Sequence, residues 1–154
     1  MTTDPIDKAL QEIRDGRMII LADGAHGEAQ VCMAAELVTP DAINFMATHA
    51  RGLVCLSLTR ERMQQLGIPL MVPDAVGSRQ SFGASIEARR GVSTGISAGD
   101  RATTIQAAVA DDAGPDDVVM PGHIFPILAR QGGVLVRAAL TEAALEGREL
   151  DAGL

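Results

Sequence analysis

Gly91-Val92-Ser93-Thr94-Gly95-Ile96-Ser97-Ala98-Gly99-Asp100-Arg101-Ala102-Thr103-Thr104-Ile105 is a run of small and hydroxyl-bearing residues that passes into a helix-forming stretch. Downstream, Met120-Pro121-Gly122-His123-Ile124-Phe125-Pro126 reads as a tight Pro-Gly turn presenting one histidine. Small residues let backbone approach a ligand, and a helix N-terminus offers unpaired N–H groups to an anion. Thr94 and Ser97 add hydroxyl donors, so the first stretch suits an anion or polyol site. It equally suits a plain Gly/Ser turn in which Asp100 caps the helix. His123 is either a proton-transfer group, as imidazole titrates near neutral pH, or a structural hydrogen-bonding residue. Arg137 and Thr141, at a strand end and a helix start, form either a phosphate clamp or a surface arginine beside an N-cap. His26 and Glu28 lie two apart in a glycine-rich loop and can converge on one ligand, but a metal site needs more ligands than these.

Working outward, 154 residues predict a single domain, 1–154, with length enough for one buried core. Aromatic residues make up only 2%, with no Trp or Tyr, so the core is expected to be aliphatic. A formal net charge of -7 argues against a nucleic-acid partner, which requires a basic surface. Cys32 and Cys55 are the only cysteines, and they read as reduced thiols, Cys55 as a small buried hydrophobe. Met33, Met46, Met63, Met71 and Met120 read as core fillers. Residues 1–15 are polar without a signal-peptide core, and no apolar run is long enough for a membrane span, so a cytoplasmic location is expected.

The periodicity predicts a helix over Ile6–Arg14, a buried strand over Met18–Ala22, and a loop over Asp23–Gln30. Thr39 and Pro40 open a helix as N-cap and first position. Leu53–Leu58 reads as a buried strand, then Thr59 caps a helix over Arg60–Leu66 that stops at Gly67. Phe82–Ala88 reads as a strand, Asp100–Ala110 as a helix and Asp111–Gly122 as an acidic loop. Phe125–Ala129 and Val134–Arg137 read as short strands about a Gly132-Gly133 hairpin, and Thr141–Leu150 as a last helix. Strands and helices mix without strict alternation, which points to α+β or a complex α/β sandwich.

Ordered matches extend along the chain. They are Ala34-Ala35-Glu36 with Thr39-Pro40, Gly52-Leu53-Val54-Cys55-Leu56, Leu66-Gly67-Ile68-Pro69-Leu70-Met71-Val72, Phe82 and Ser85-Ile86-Glu87-Ala88. The Gly91–Ile105 block, Pro121–Pro126, and Gly132-Gly133-Val134-Leu135 with Arg137 and Thr141-Glu142-Ala143 complete the series. In this order they resemble the 3,4-dihydroxy-2-butanone 4-phosphate synthase family. The resemblance implies an α/β sandwich with a mixed sheet flanked by helices, and a homodimer whose two sites are each shared between subunits. It implies chemistry on ribulose 5-phosphate, in which an enediol forms, the skeleton rearranges and formate leaves, with Mg²⁺ holding the enediol oxygens. It places Thr94, Ser97, Asp100, Arg101, His123, Arg137 and Thr141 in the phosphate-binding, partner-facing half of the site.

The chain departs from that family at the other half. Where the family loop reads Asp-Asp-Glu-Asp-Arg-Glu-Asn-Glu-Gly-Asp, the residues here are Leu21 to Gln30. Ala25 stands for a substrate-binding Arg, His26 for a metal-binding Glu and Gln30 for a substrate-binding Asp, while Glu28 keeps its identity. Leu140 stands for the second metal-binding His. The family chain also continues beyond the position of Leu154 and supplies a further catalytic Glu. The expectation is therefore a diverged family enzyme with no metal cofactor. It would act on a small anionic or carbonyl-bearing metabolite, in a specialised pathway, with His26, Glu28 and His123 as acid/base groups. The alternatives are a non-catalytic dimeric binding or regulatory homologue, and the family's own Mg²⁺-dependent synthase activity, which the lost ligands disfavour.

Overall fold

The computed structural model describes residues 5–23, 27–72 and 81–129. Helix α1 (Pro5–Arg14) leads into an antiparallel hairpin of β1 (Ile19–Asp23) and β2 (Glu28–Cys32), paired from Ile19 with Cys32 to Asp23 with Glu28. Two expectations are corrected here. The apolar run around Ile20 is not a buried strand, because Ile20 is 72% exposed. The segment from Glu28 is not loop but the return strand of the hairpin. A continuous apolar run cannot by itself distinguish a central strand from one half of an outlying ribbon.

A short 3-10 turn (Ala35–Leu37) precedes α2 (Pro40–Phe45), which runs on into a single π-type turn (Met46–Ala50). Thr39 caps α2 as expected, accepting the Ala42 N–H at 3.1 Å. Strand β3 (Cys55–Leu58) turns Leu56 and Leu58 inward and leaves Cys55 exposed, so Cys55 is not the buried hydrophobe anticipated. Thr59 then caps α3 (Arg60–Gln65), accepting the Arg62 N–H at 3.2 Å.

Four strands form the main sheet: β3, β4 (Ser81–Phe82), β5 (Ile86–Ala88) and β6 (Val118–Leu128). β6 is the hub, parallel to β3 and antiparallel to β4 and β5. The expected single strand over 82–88 is thus two short ones, and the expected loop over 111–122 holds only to residue 117, since β6 begins at Val118. Pro121 and Gly122 make no turn but lie within that strand. Helix α4 (Ala98–Val109) packs Ala102, Ile105, Ala108 and Val109 against the sheet, where they join Ile43, Leu58, Leu66, Ile86, Val118 and Ile124 in one aliphatic core. Met63 belongs to that core and Met33 packs against it, whereas Met71 and Met120 are exposed rather than core. The result is the mixed sheet flanked by helices that the sequence implied. The expected hairpin at 132–133 and the last helix lie outside the described residues, and none of the described helices is long and apolar enough to cross a membrane.

Candidate active site

The loop before α4 is built on Asp100. Ser97, not Asp100, is the N-cap, and its hydroxyl accepts the Asp100 N–H at 3.0 Å. That frees the Asp100 carboxylate to fold back over the loop, where Oδ2 accepts the Ser93 hydroxyl at 2.9 Å and the Gly95 N–H at 3.0 Å. The Ser93 hydroxyl, helped by backbone N–H groups and opposed by desolvation, holds the Asp100 carboxyl below the usual carboxylate range. Asp100 therefore shapes the loop from within, while Thr94 and Ser97 remain exposed on its outer side. Next along α4, Arg101 is half-buried, and its Nε has no hydrogen-bond partner among the described residues.

Beneath this loop lies a carboxylate that sequence reasoning did not assign. Glu87, on β5, is only 8% exposed, and its Oε2 lies 2.7 Å from His123 Nδ1. A carboxylate presents acceptors, so Nδ1 carries the proton and Nε2 of the neutral ring is left with its lone pair. The His123 side chain is 43% exposed, which opens the ring to a ligand while its inner nitrogen stays tethered. The Gly95 backbone, at φ 81°, lies so close over Glu87 that an added Cβ would overlap the carboxylate. Gly122, one residue before His123, passes equally close to the backbone of Ile86 and Glu87 and gives its N–H to the Ser85 hydroxyl at 3.2 Å. The signal for Glu87 was a single charge inside the apolar stretch Ile86-Glu87-Ala88. A charge rarely enters a buried strand without a partner.

A cavity of about 500 Å³ lies on another part of the chain, between the β1–β2 hairpin, α2 with its π-type turn, and β3. Gln30, Cys32, Arg51 and Cys55 supply polar groups to a mainly aliphatic wall, and neither Glu87 nor His123 is among its described lining residues. Burial pushes the Cys32 thiol up to about 11, so it is not a nucleophile at neutral pH. Glu28 is placed by its backbone, which pairs with Asp23 beside this cavity, and its side chain lies outside the described atoms. His26, Arg137 and Thr141 lie outside the described residues. The structure thus joins His123 with Glu87 and the Asp100 loop. It does not show His26 and Glu28 joining them.

A family model for 3,4-dihydroxy-2-butanone 4-phosphate synthase matches residues 7–150. The 3,4-dihydroxy-2-butanone 4-phosphate synthase of Pseudomonas aeruginosa is 52% identical over 95% of this chain and 41% of its own length. That of Syntrophotalea carbinolica is 45% identical over 90% of this chain and 65% of its own length. Among solved structures, a two-domain synthase from A. baumannii superposes with a TM-score of 0.89 at 48% identity, covering 96% of this chain and 44% of its own. A synthase in complex with two magnesium ions gives 0.90 at 38% identity, covering 96% and 70%. The chain belongs to the 3,4-dihydroxy-2-butanone 4-phosphate synthase family. It spans about two fifths of the length of the Pseudomonas relative. The relatives' names lend no support to the expected diverged activity in a specialised pathway, and they favour the synthase alternative over it.

One solved relative is a complex with two magnesium ions. Of the two positions that the family resemblance assigns to metal ligands, His26 offers imidazole nitrogen in place of a carboxylate and Leu140 offers no donor atom. Among the described residues no group of three or more His, Cys, Asp or Glu is placed to hold an ion. His26 and Leu140 lie outside the described residues, and the chemistry proposed for this chain is assigned to its own groups.

Proposed function

We propose that this chain acts on ribulose 5-phosphate as a 3,4-dihydroxy-2-butanone 4-phosphate synthase, with His123 as its proton-transfer group. The observation that carries this is the exposed imidazole tethered to buried Glu87, in a chain 52% identical to a synthase. The reaction opens with loss of a proton from a carbon beside the ketone. Nε2 of His123 takes that proton, and Glu87 stabilises the imidazolium that forms. The ring then returns the proton during the later rearrangement. Arg101, whose Nε has no partner among the described residues, and the hydroxyls of Thr94 and Ser97 are the phosphate-binding groups at this loop, together with Arg137 and Thr141. The sites are shared between two copies of the chain, a reading supported by the separation of His123 from the hairpin cavity.

Formate release from ribulose 5-phosphate, with and without added Mg²⁺, tests the proposal, and His123→Ala should lower it by at least the ~10²-fold that a general acid/base contributes. No formate under any condition would overturn it. A second reading is favoured by Ala25, His26, Gln30 and Leu140. It is a family enzyme that retains only the metal-independent proton transfer, on a small carbonyl-bearing anion. Its mark would be His123-dependent exchange of the substrate's C–H with D₂O, unaffected by a chelator and without formate. A protein that binds the sugar phosphate without exchange or formate would be a binding homologue.

A further inference from the structure

Thr104 is fully buried on α4, one turn after Asp100, and its hydroxyl sits between three groups. It accepts the Ala88 N–H at 3.0 Å. Its own hydrogen then has two acceptors within reach, Glu87 Oε1 at 2.9 Å and the Asp100 carbonyl at 2.9 Å. The carbonyl already belongs to the helix ladder, whereas the carboxylate oxygen accepts from no other donor among the described residues and belongs to a side chain only 10% exposed, beneath the Gly95 backbone. A donor to a buried carboxylate forms the stronger bond, so the hydrogen goes to Glu87. Thr104 and His123 thus hold opposite oxygens of one carboxylate, and the terminal rotation of Glu87, soft on its own, is fixed at both ends.

We propose that Thr104 is a positioning residue that acts through Glu87 to hold His123 in the Nδ1–H tautomer, with Nε2 free for the substrate. This rests on the reading of His123 as the proton-transfer group. Nothing in it requires Thr104 to touch a ligand. The charged residues on the neighbouring elements are Asp100 and Arg101 on α4 and Arg89 and Arg90 after β5. All four are the same in every variant below, so a difference between variants reports the hydroxyl.

The test is the ring ¹⁵N spectrum of His123 in the unliganded protein, with Glu87→Gln as the reference for a lost carboxylate. Thr104→Val keeps the shape and removes the hydroxyl. Its ring nitrogens should move away from the wild-type positions toward those of Glu87→Gln, as the Nε2–H tautomer gains population. Thr104→Ser keeps the hydroxyl and should stay with wild type even where it lowers the melting temperature. Should Thr104→Val fail to give a dispersed amide spectrum, Thr104→Ala takes its place with the same expectation. Ring nitrogens unchanged in Thr104→Val or Thr104→Ala, or displaced equally in Thr104→Ser, would overturn the proposal. A purely structural threonine would change the melting temperature and leave the ring as it was. The spectrum needs no substrate, so it stands or falls apart from the formate assay.

Discussion

Gly95 and Asp100 cooperate at one point of the loop: the carboxylate draws the Gly95 N–H down, and the missing side chain lets that backbone settle on Glu87. Gly95→Ala should therefore cost more than the ~1–2 kcal/mol of placing an alanine in left-handed backbone, because the added methyl also meets the carboxylate. Denaturant unfolding would read this, and a change below about 0.5 kcal/mol, the range of an ordinary surface substitution, would refute it. Asp100 gives a pH signature. Its folded carboxyl lies below the ordinary value of 3.8, so the unfolded chain binds the proton more readily and Asp100 stabilises the fold above that value. The contribution disappears as pH falls through the lower folded value. The melting-temperature gap between wild type and Asp100→Asn should be constant around neutral pH and narrow once pH drops below about 4. A gap that persists unchanged to about pH 2 would contradict the carboxylate's role. The sequence showed Asp100 as important and misassigned its part by one turn: Ser97 and Asp100 are both good N-caps, and only the loop's return over Gly95 decides between them.

At the scale of elements, local chemistry was legible and pairing was not. Thr39 and Thr59 announce their helices because a cap bonds within its own first turn. β6 was hidden because its reading depends on a partner elsewhere. Pro121 and Gly122 interrupt an otherwise apolar stretch, and such residues ordinarily demote a strand. Here the β5–β6 register shifts between Ile86 and Glu87, and the irregularity accommodates both. The shift brings Gly122 against the Ile86 carbonyl and sets His123 beside Glu87, so the feature that obscured the strand also builds the site. Gly122→Ala would press a methyl into backbone that has no rotamer to relax. It should destabilise by at least ~3 kcal/mol, the upper end of ordinary overpacking, and displace His123 from Glu87. Retained stability by urea unfolding would show that β5 and β6 can separate at this point without loss.

Across the whole molecule, two features that one active site would need stand apart. Gln30 and the hairpin border the cavity, whereas His123 is exposed away from its described wall. Ile96, 61% exposed next to Gly95 in the loop over Glu87, and Met120, 41% exposed three residues before His123, leave apolar surface for another chain to cover. A homodimer that seats the dyad of one copy against the hairpin of the other accounts for both observations. Complementation distinguishes this from two self-contained sites. His123→Ala removes the proton-transfer group, and Glu28→Gln removes the carboxylate that the family resemblance keeps at the start of β2. If each site draws on both copies, a mixed dimer has one site carrying both lesions and one site carrying neither. If each site lies within one chain, both sites of the mixed dimer are damaged. Differently tagged variants, co-expressed and purified through both tags, should therefore regain formate release that neither variant shows alone. Mixed dimers as inactive as their parents would place His123 and Glu28 in the same chain's site.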